Sequence, residues 1–86
     1  MQEEKYKKAI ERYLEAESIL LRLYNNKVEK RIFNEIYEKI VDCALKIDDK
    51  EIAKKYYNIQ RENFGDDNAI TQSIRKKINL ADLKVL

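Results

Sequence analysis

The feature that most constrains this chain is what it lacks: its 86 residues include no proline and one glycine, Gly65. Hairpin-rich β folds draw repeatedly on glycine for turns at positive φ, and one glycine cannot supply them. Lys, Glu, Ile, Leu, Ala and Arg are good helix formers and fill much of the sequence. The expectation is therefore an all-α fold.

Apolar spacing agrees. Tyr6, Ala9, Ile10, Tyr13, Ala16, Leu20, Leu23 and Tyr24 recur at three- and four-residue intervals, which predicts a first amphipathic helix over 3–24. Ile19 and Leu21 fall off this stripe, so the C-terminal end of the helix is expected to be covered on two sides. Asn25-Asn26 is a break, and Asn26 with Glu29 has the form of a capping box for a second helix beginning near Lys27. That helix carries Val28, Ile32, Ile36, Ile40, Cys43 and Ile47 on one line, with Phe33, Tyr37, Val41 and Ala44 beside it. It is the most apolar helix and the expected centre of the domain.

Asp48-Asp49 is the second break, and Asp48 with Glu51 repeats the capping pattern at a helix N-terminus that favours carboxylates. A third helix is predicted over 50–63, with Ile52, Ala53, Tyr56, Tyr57 and Ile59 on its apolar face and Phe64 beyond. Gly65 suits the left-handed position past a helix end, and Asp66 or Asp67 is placed to cap a fourth helix over 68–79 bearing Ala69, Ile70, Ile74 and Ile78. The tail from Leu80 to Leu86 either extends that helix or docks separately. Short connections make successive helices antiparallel. The chain reads as one domain, residues 1–86, of four antiparallel helices arranged as stacked helical hairpins or a small helical bundle.

Charge excludes more than it selects. With 18 basic and 16 acidic residues the net charge is +2, too balanced for a global field to select a polyanion, and a charged fraction of 40% describes a solvated surface. Glu4–Lys8, Glu35–Lys39, Asp42–Lys46 and Glu51–Lys55 have the spacing of helix-stabilising pairs. No apolar run approaches a membrane span, and the segment from Met1 to Lys8 lacks the apolar core of a signal peptide. With a single cysteine, Cys43, no intramolecular disulfide is available, and a cytoplasmic setting is expected.

The stretch from Tyr37 to Gly65 resembles one tetratricopeptide-type repeat, a two-helix unit. Tyr37, Ile40 and Val41 fall on its first-helix positions, Asp48 to Glu51 on its turn, Ala53 and Tyr57 on its second-helix small and aromatic positions, and Gly65 near its end. Val41 is larger than the usual small residue, Ala44 stands for the usual tyrosine, Gln60 for the second small residue, and no proline ends the unit. The resemblance covers about a third of the chain and implies peptide or protein binding, without naming the residues that bind.

Catalytic apparatus is not visible. There is no histidine to activate Cys43 or complete a zinc set, and Cys43 lies on the apolar line of helix two, where a packing role is expected. The carboxylate pairs Glu11/Glu15 and Glu35/Glu38 lack the histidine of a di-iron motif, and neither Asp48-Asp49-Lys50-Glu51 nor Asp66-Asp67 has the alternation of a calcium loop. No enzyme, cofactor or metal is expected.

Two binding readings follow. Wide apolar stripes in a short chain point to a protein–protein interaction module of adaptor or regulatory type, binding a partner or a second copy of itself as a dimer. Among six tyrosines, adjacent Tyr56 and Tyr57 lie about 100° apart on a helix, so one of them is a candidate partner contact. The alternative is a small nucleic-acid-binding regulator using Lys5, Lys7, Lys8 and Arg12, Lys27, Lys30 and Arg31, Lys54 and Lys55, and above all Arg75, Lys76 and Lys77, the cluster not interleaved with acids.

Overall fold

A computed structural model describes residues 2–27 and 31–84. Four helices account for nearly all of them: α1 (Gln2–Leu23), α2 (Arg31–Lys46), α3 (Lys50–Phe64) and α4 (Ala69–Lys84), with no strand among the described residues. Residues 80–84 of the tail extend the fourth helix, so that α4 runs on to Lys84.

Packing follows the breadth of the apolar stripes. The widest belongs to α2, which buries Phe33, Ile36, Tyr37, Ile40, Val41 and Ala44 and touches every other helix. Around it close Ile10 of α1, Ala53 and Tyr56 of α3, and Ile74 of α4. α3 and α4 also pack on each other, whereas among the described residues α1 packs on α2 alone. The array is therefore open at α1. Its Cα extents are 42 × 32 × 16 Å, and the shortest is about two helix layers thick at an interaxial spacing of about 8–10 Å.

This openness overturns the expectation that the C-terminal half of α1 is covered on two sides. Ile19 is 57% exposed, Leu23 69% and Tyr24 39%. An edge helix with one neighbour buries one face, and Ile10 is the only described side chain of α1 that becomes buried.

The helix ends show how local chemistry sets the boundaries. Asn25 and Asn26 take φ of 52° and 63°, and Asn26 N–H reaches back to the Leu21 carbonyl at 2.7 Å. Asn26 thus terminates α1, as asparagine tolerates the left-handed region. It does not open a helix at Lys27, which lies outside any helix; Glu29 of the expected capping box lies outside the described residues, as does Val28. At the next break the two aspartates divide the work. Asp48, at φ 58°, closes α2, and Asp49 caps α3 by accepting from Ile52 N–H at 3.1 Å. The expected Asp48–Glu51 box is replaced by a simple cap one residue later.

Gly65 ends α3 at φ 87° and ψ 162°, its N–H donating to the Arg61 carbonyl at 2.8 Å. The cap of α4 is neither Asp66 nor Asp67 but Asn68, whose Oδ1 accepts from Ile70 N–H at 2.9 Å and Thr71 N–H at 3.3 Å.

Candidate interaction surfaces

Two three-way junctions hold the helices in register. At the first, Tyr37 of α2 donates its hydroxyl proton to Glu17 Oε2 of α1 at 2.7 Å while its ring packs between Phe33 and Tyr56 of α3, with centroids 6.3 and 5.6 Å away. Tyr24 joins the far side of Phe33 edge-on at 6.4 Å, so aromatic rings run from the end of α1 through α2 to α3. Burial, and then the Glu17 carboxylate, push the Tyr37 phenol well above its ordinary value.

At the second junction, Gln60 of α3 is fully buried and its amide NH2 donates to Asn34 of α2, to Thr71 Oγ1 of α4 at 3.2 Å, and to Asn68 Oδ1 at 3.4 Å. Its own Oε1 is buried without a partner among the described residues. Sequence periodicity gave no sign of these contacts: Asn34, Gln60 and Thr71 are polar residues on positions that geometry turns inward, and Glu17 reads as ordinary surface.

The predicted partner-binding residues separate into inward and outward groups. Tyr56 is buried, 7% exposed, and belongs to the core. Tyr57 is the half-exposed member of the pair: Arg75 Nε donates to its hydroxyl at 2.8 Å, and the Arg61 and Arg75 guanidinium carbons stand 5.8 and 5.9 Å from its ring centroid. Arg75 also bonds Asp66 at 2.6 Å. Lys77 lies between Asp42 at 2.8 Å and Glu38 at 3.4 Å, tying α4 to α2. Partial burial alone would lower its pKa, but the hydrogen bond and charge of Asp42, with Glu38 behind them, win and raise it. Lys76 is exposed. The three cations adjacent in sequence thus go separate ways, two of them already matched to carboxylates.

Three cations that do share one face are on α1. Lys5, Lys8 and Arg12, with Ala9 and Tyr13, line a groove of about 440 Å³ in which the small Ala9 lies low among longer side chains. None of the three makes an ion pair among the described residues. Lys7, grouped with them in sequence, pairs instead with Glu3 at 3.8 Å. Further along the same side of the helix come the exposed Ile19 and Leu23, four residues apart, while Ala16 beside them packs against the core. The flank of α1 that carries the groove is therefore basic in its N-terminal half and apolar in its C-terminal half, with the exposed carboxylates Glu4, Glu11 and Glu15 running along its other side.

Other candidate chemistry disperses. None of the four expected i,i+4 pairs closes among the described residues; the intrahelical pairs are Glu3–Lys7 and Arg31–Glu35, both at 3.8 Å and exposed, while Asp42 is taken by Lys77. Glu38 accepts from Ser73 and Lys77, so Glu35 and Glu38 do not act together. No group of three potential metal ligands occurs among the described residues. Cys43 is half-buried, and its thiol pKa is raised by burial and by Asp42, against the opposing pull of Lys39. No described helix is long and apolar enough to cross a membrane.

No family model matches the chain, and no curated protein or solved structure matches it significantly.

Proposed function

We propose that this chain is a small protein–protein interaction module of adaptor or regulatory type, non-enzymatic and working in the cytoplasm, and that the outer face of α1 is its docking surface. The observation that carries this reading is the one-sided packing of α1, which leaves Ile19 and Leu23 largely in water. Two aliphatic side chains exposed one helical turn apart offer a docking helix adjacent apolar anchors. The resemblance of residues 37–65 to a tetratricopeptide repeat supports the same class of function.

A nucleic-acid reading draws on Lys5, Lys8 and Arg12, but Arg75 and Lys77 are held by Asp66, Asp42 and Glu38, and phosphates gain nothing from Ile19 and Leu23. The protein reading accounts for both halves of the face.

The test compares proteins co-isolated with the tagged wild-type chain and with its Ile19→Glu/Leu23→Glu variant, quantified by mass spectrometry. Specific loss of one or more proteins with the variant is expected, and a second copy of this chain counts among them. Indistinguishable profiles from the two would overturn the proposal.

A further inference from the structure

We infer that the occupant of the α1 face is an acidic amphipathic helix, with carboxylates over the N-terminal half of α1 and apolar side chains over its C-terminal half. The inference rests on the interaction-module reading and names its partner class.

Complementarity of charge and shape points to this occupant. Lys5, Lys8 and Arg12 surround Ala9 in the groove, no acidic side chain lines it, and none of the three cations is engaged by another described residue. The small residue at Ala9 lets a second helix approach closely, and Ile19 and Leu23 stand ready to pack against it. An elongated face with anchors at three- and four-residue steps fits a helix laid along it.

A second copy of α1 does not meet this description. Laid antiparallel with the midpoint of the stripe on itself, it sets Lys5, Lys8 and Arg12 against Leu23, Leu20 and Ala16. Laid parallel, it sets each cation beside its own copy. The antiparallel arrangement leaves the three cations against apolar side chains, and the parallel one sets like charges facing each other, which discriminates against it. A nucleic acid satisfies the cations but leaves the apolar half of the face in contact with water or phosphate.

The experiment titrates the isotopically labelled chain, followed by backbone amide shifts, with three probes. The first is a capped helical peptide carrying glutamates along one face in one half and leucines along the same face in the other. The second is the same peptide with every glutamate changed to glutamine, and the third is a single-stranded RNA oligonucleotide. The expected result is that the acidic peptide moves amides between Lys5 and Leu23, binds at least about tenfold more tightly than its glutamine counterpart, and loses this advantage against Lys8→Glu/Arg12→Glu. These residues are exposed, and the amide spectrum of the free variant verifies its fold. Equal binding of the two peptides overturns the charge inference and leaves the interaction reading standing. RNA moving the same amides at lower concentration than the acidic peptide overturns both. Absence of any α1 shift with the acidic peptide at millimolar concentration overturns the inference.

Discussion

The Tyr37 hydroxyl donates to Glu17 Oε2 at 2.7 Å, a bond that joins the central helix of the fold to its edge helix. Because α1 packs on α2 alone among the described residues, this bond acts with the burial of Ile10 to set which side of α1 faces the core and which faces solvent. In the folded chain the Tyr37 phenol holds its proton above its ordinary value of 10.0, through burial first and Glu17 second, and Tyr56 is raised in the same direction by burial and Glu17. Above pH 10 the unfolded chain releases protons that the folded chain keeps, so stability present below that pH declines as pH rises. Lys77, raised above 10.5 in the fold, adds a loss of the same sign. Tyr37→Phe is expected to cost about 1 kcal/mol at neutral pH and to flatten the decline of the thermal midpoint above pH 10. Circular dichroism melts across pH 7–11 check this, and parallel declines in the two proteins would contradict it.

Gln60 presents one NH2 group to three acceptors on α2, on α4 and on the connection between α3 and α4. Gln60→Ala leaves Asn34 and Thr71 buried without their donor and opens a cavity, so a loss of about 2–4 kcal/mol is expected. Replacing the whole set, Asn34→Leu, Gln60→Leu and Thr71→Val, removes the unmet polar atoms together and is expected to recover most of it. Urea unfolding of the single and triple variants makes the comparison. A triple variant less stable than Gln60→Ala would show that these groups contribute more than mutual satisfaction.

Gly65 has open space where a Cβ would stand, so Gly65→Ala meets no clash. Its φ of 87° and ψ of 162° lie in a region essentially restricted to glycine, and forcing alanine there costs about 1–3 kcal/mol. The urea midpoint should fall accordingly, without change in helical content. An unchanged midpoint would mean that the turn relaxes to another conformation.

Cys43 is half-buried beside Asp42, and its thiol is raised by burial and by that carboxylate. Its thiolate fraction at neutral pH is therefore below that of a free cysteine, and its reaction with an aromatic disulfide reagent is expected to be slower than that of a small model thiol. A rate matching or exceeding the model thiol would contradict the assigned environment.

Helix number, order and the central place of α2 were legible because period-3.6 apolar spacing and the scarcity of glycine and proline point the same way. Boundaries shifted where neighbouring residues compete for the same position in a turn or cap. Asn26 ends α1, Asp48 ends α2 while Asp49 caps α3, and Asn68 takes the cap expected of Asp66 or Asp67. That one of Tyr56 and Tyr57 faces outward followed from helix geometry alone. Which one does was fixed by tertiary packing, as was the separation of Arg75, Lys76 and Lys77. The α1 face was the least legible feature. Its residues Ala9 and Leu23 lie in the same stripe as the buried Ile10 and the core-packed Ala16, and only the number of neighbours around α1 decides which are covered.

The most direct test of α1 as the docking surface is position-resolved cross-linking in cells. A photo-cross-linking amino acid replaces Ile19 on the outer face of α1 or, separately, Lys39, an exposed position on α2. A discrete cross-linked protein product is expected from position 19 and none of comparable yield from position 39. Equal yields, or a product from position 39 alone, would contradict the assignment of α1 as the docking surface.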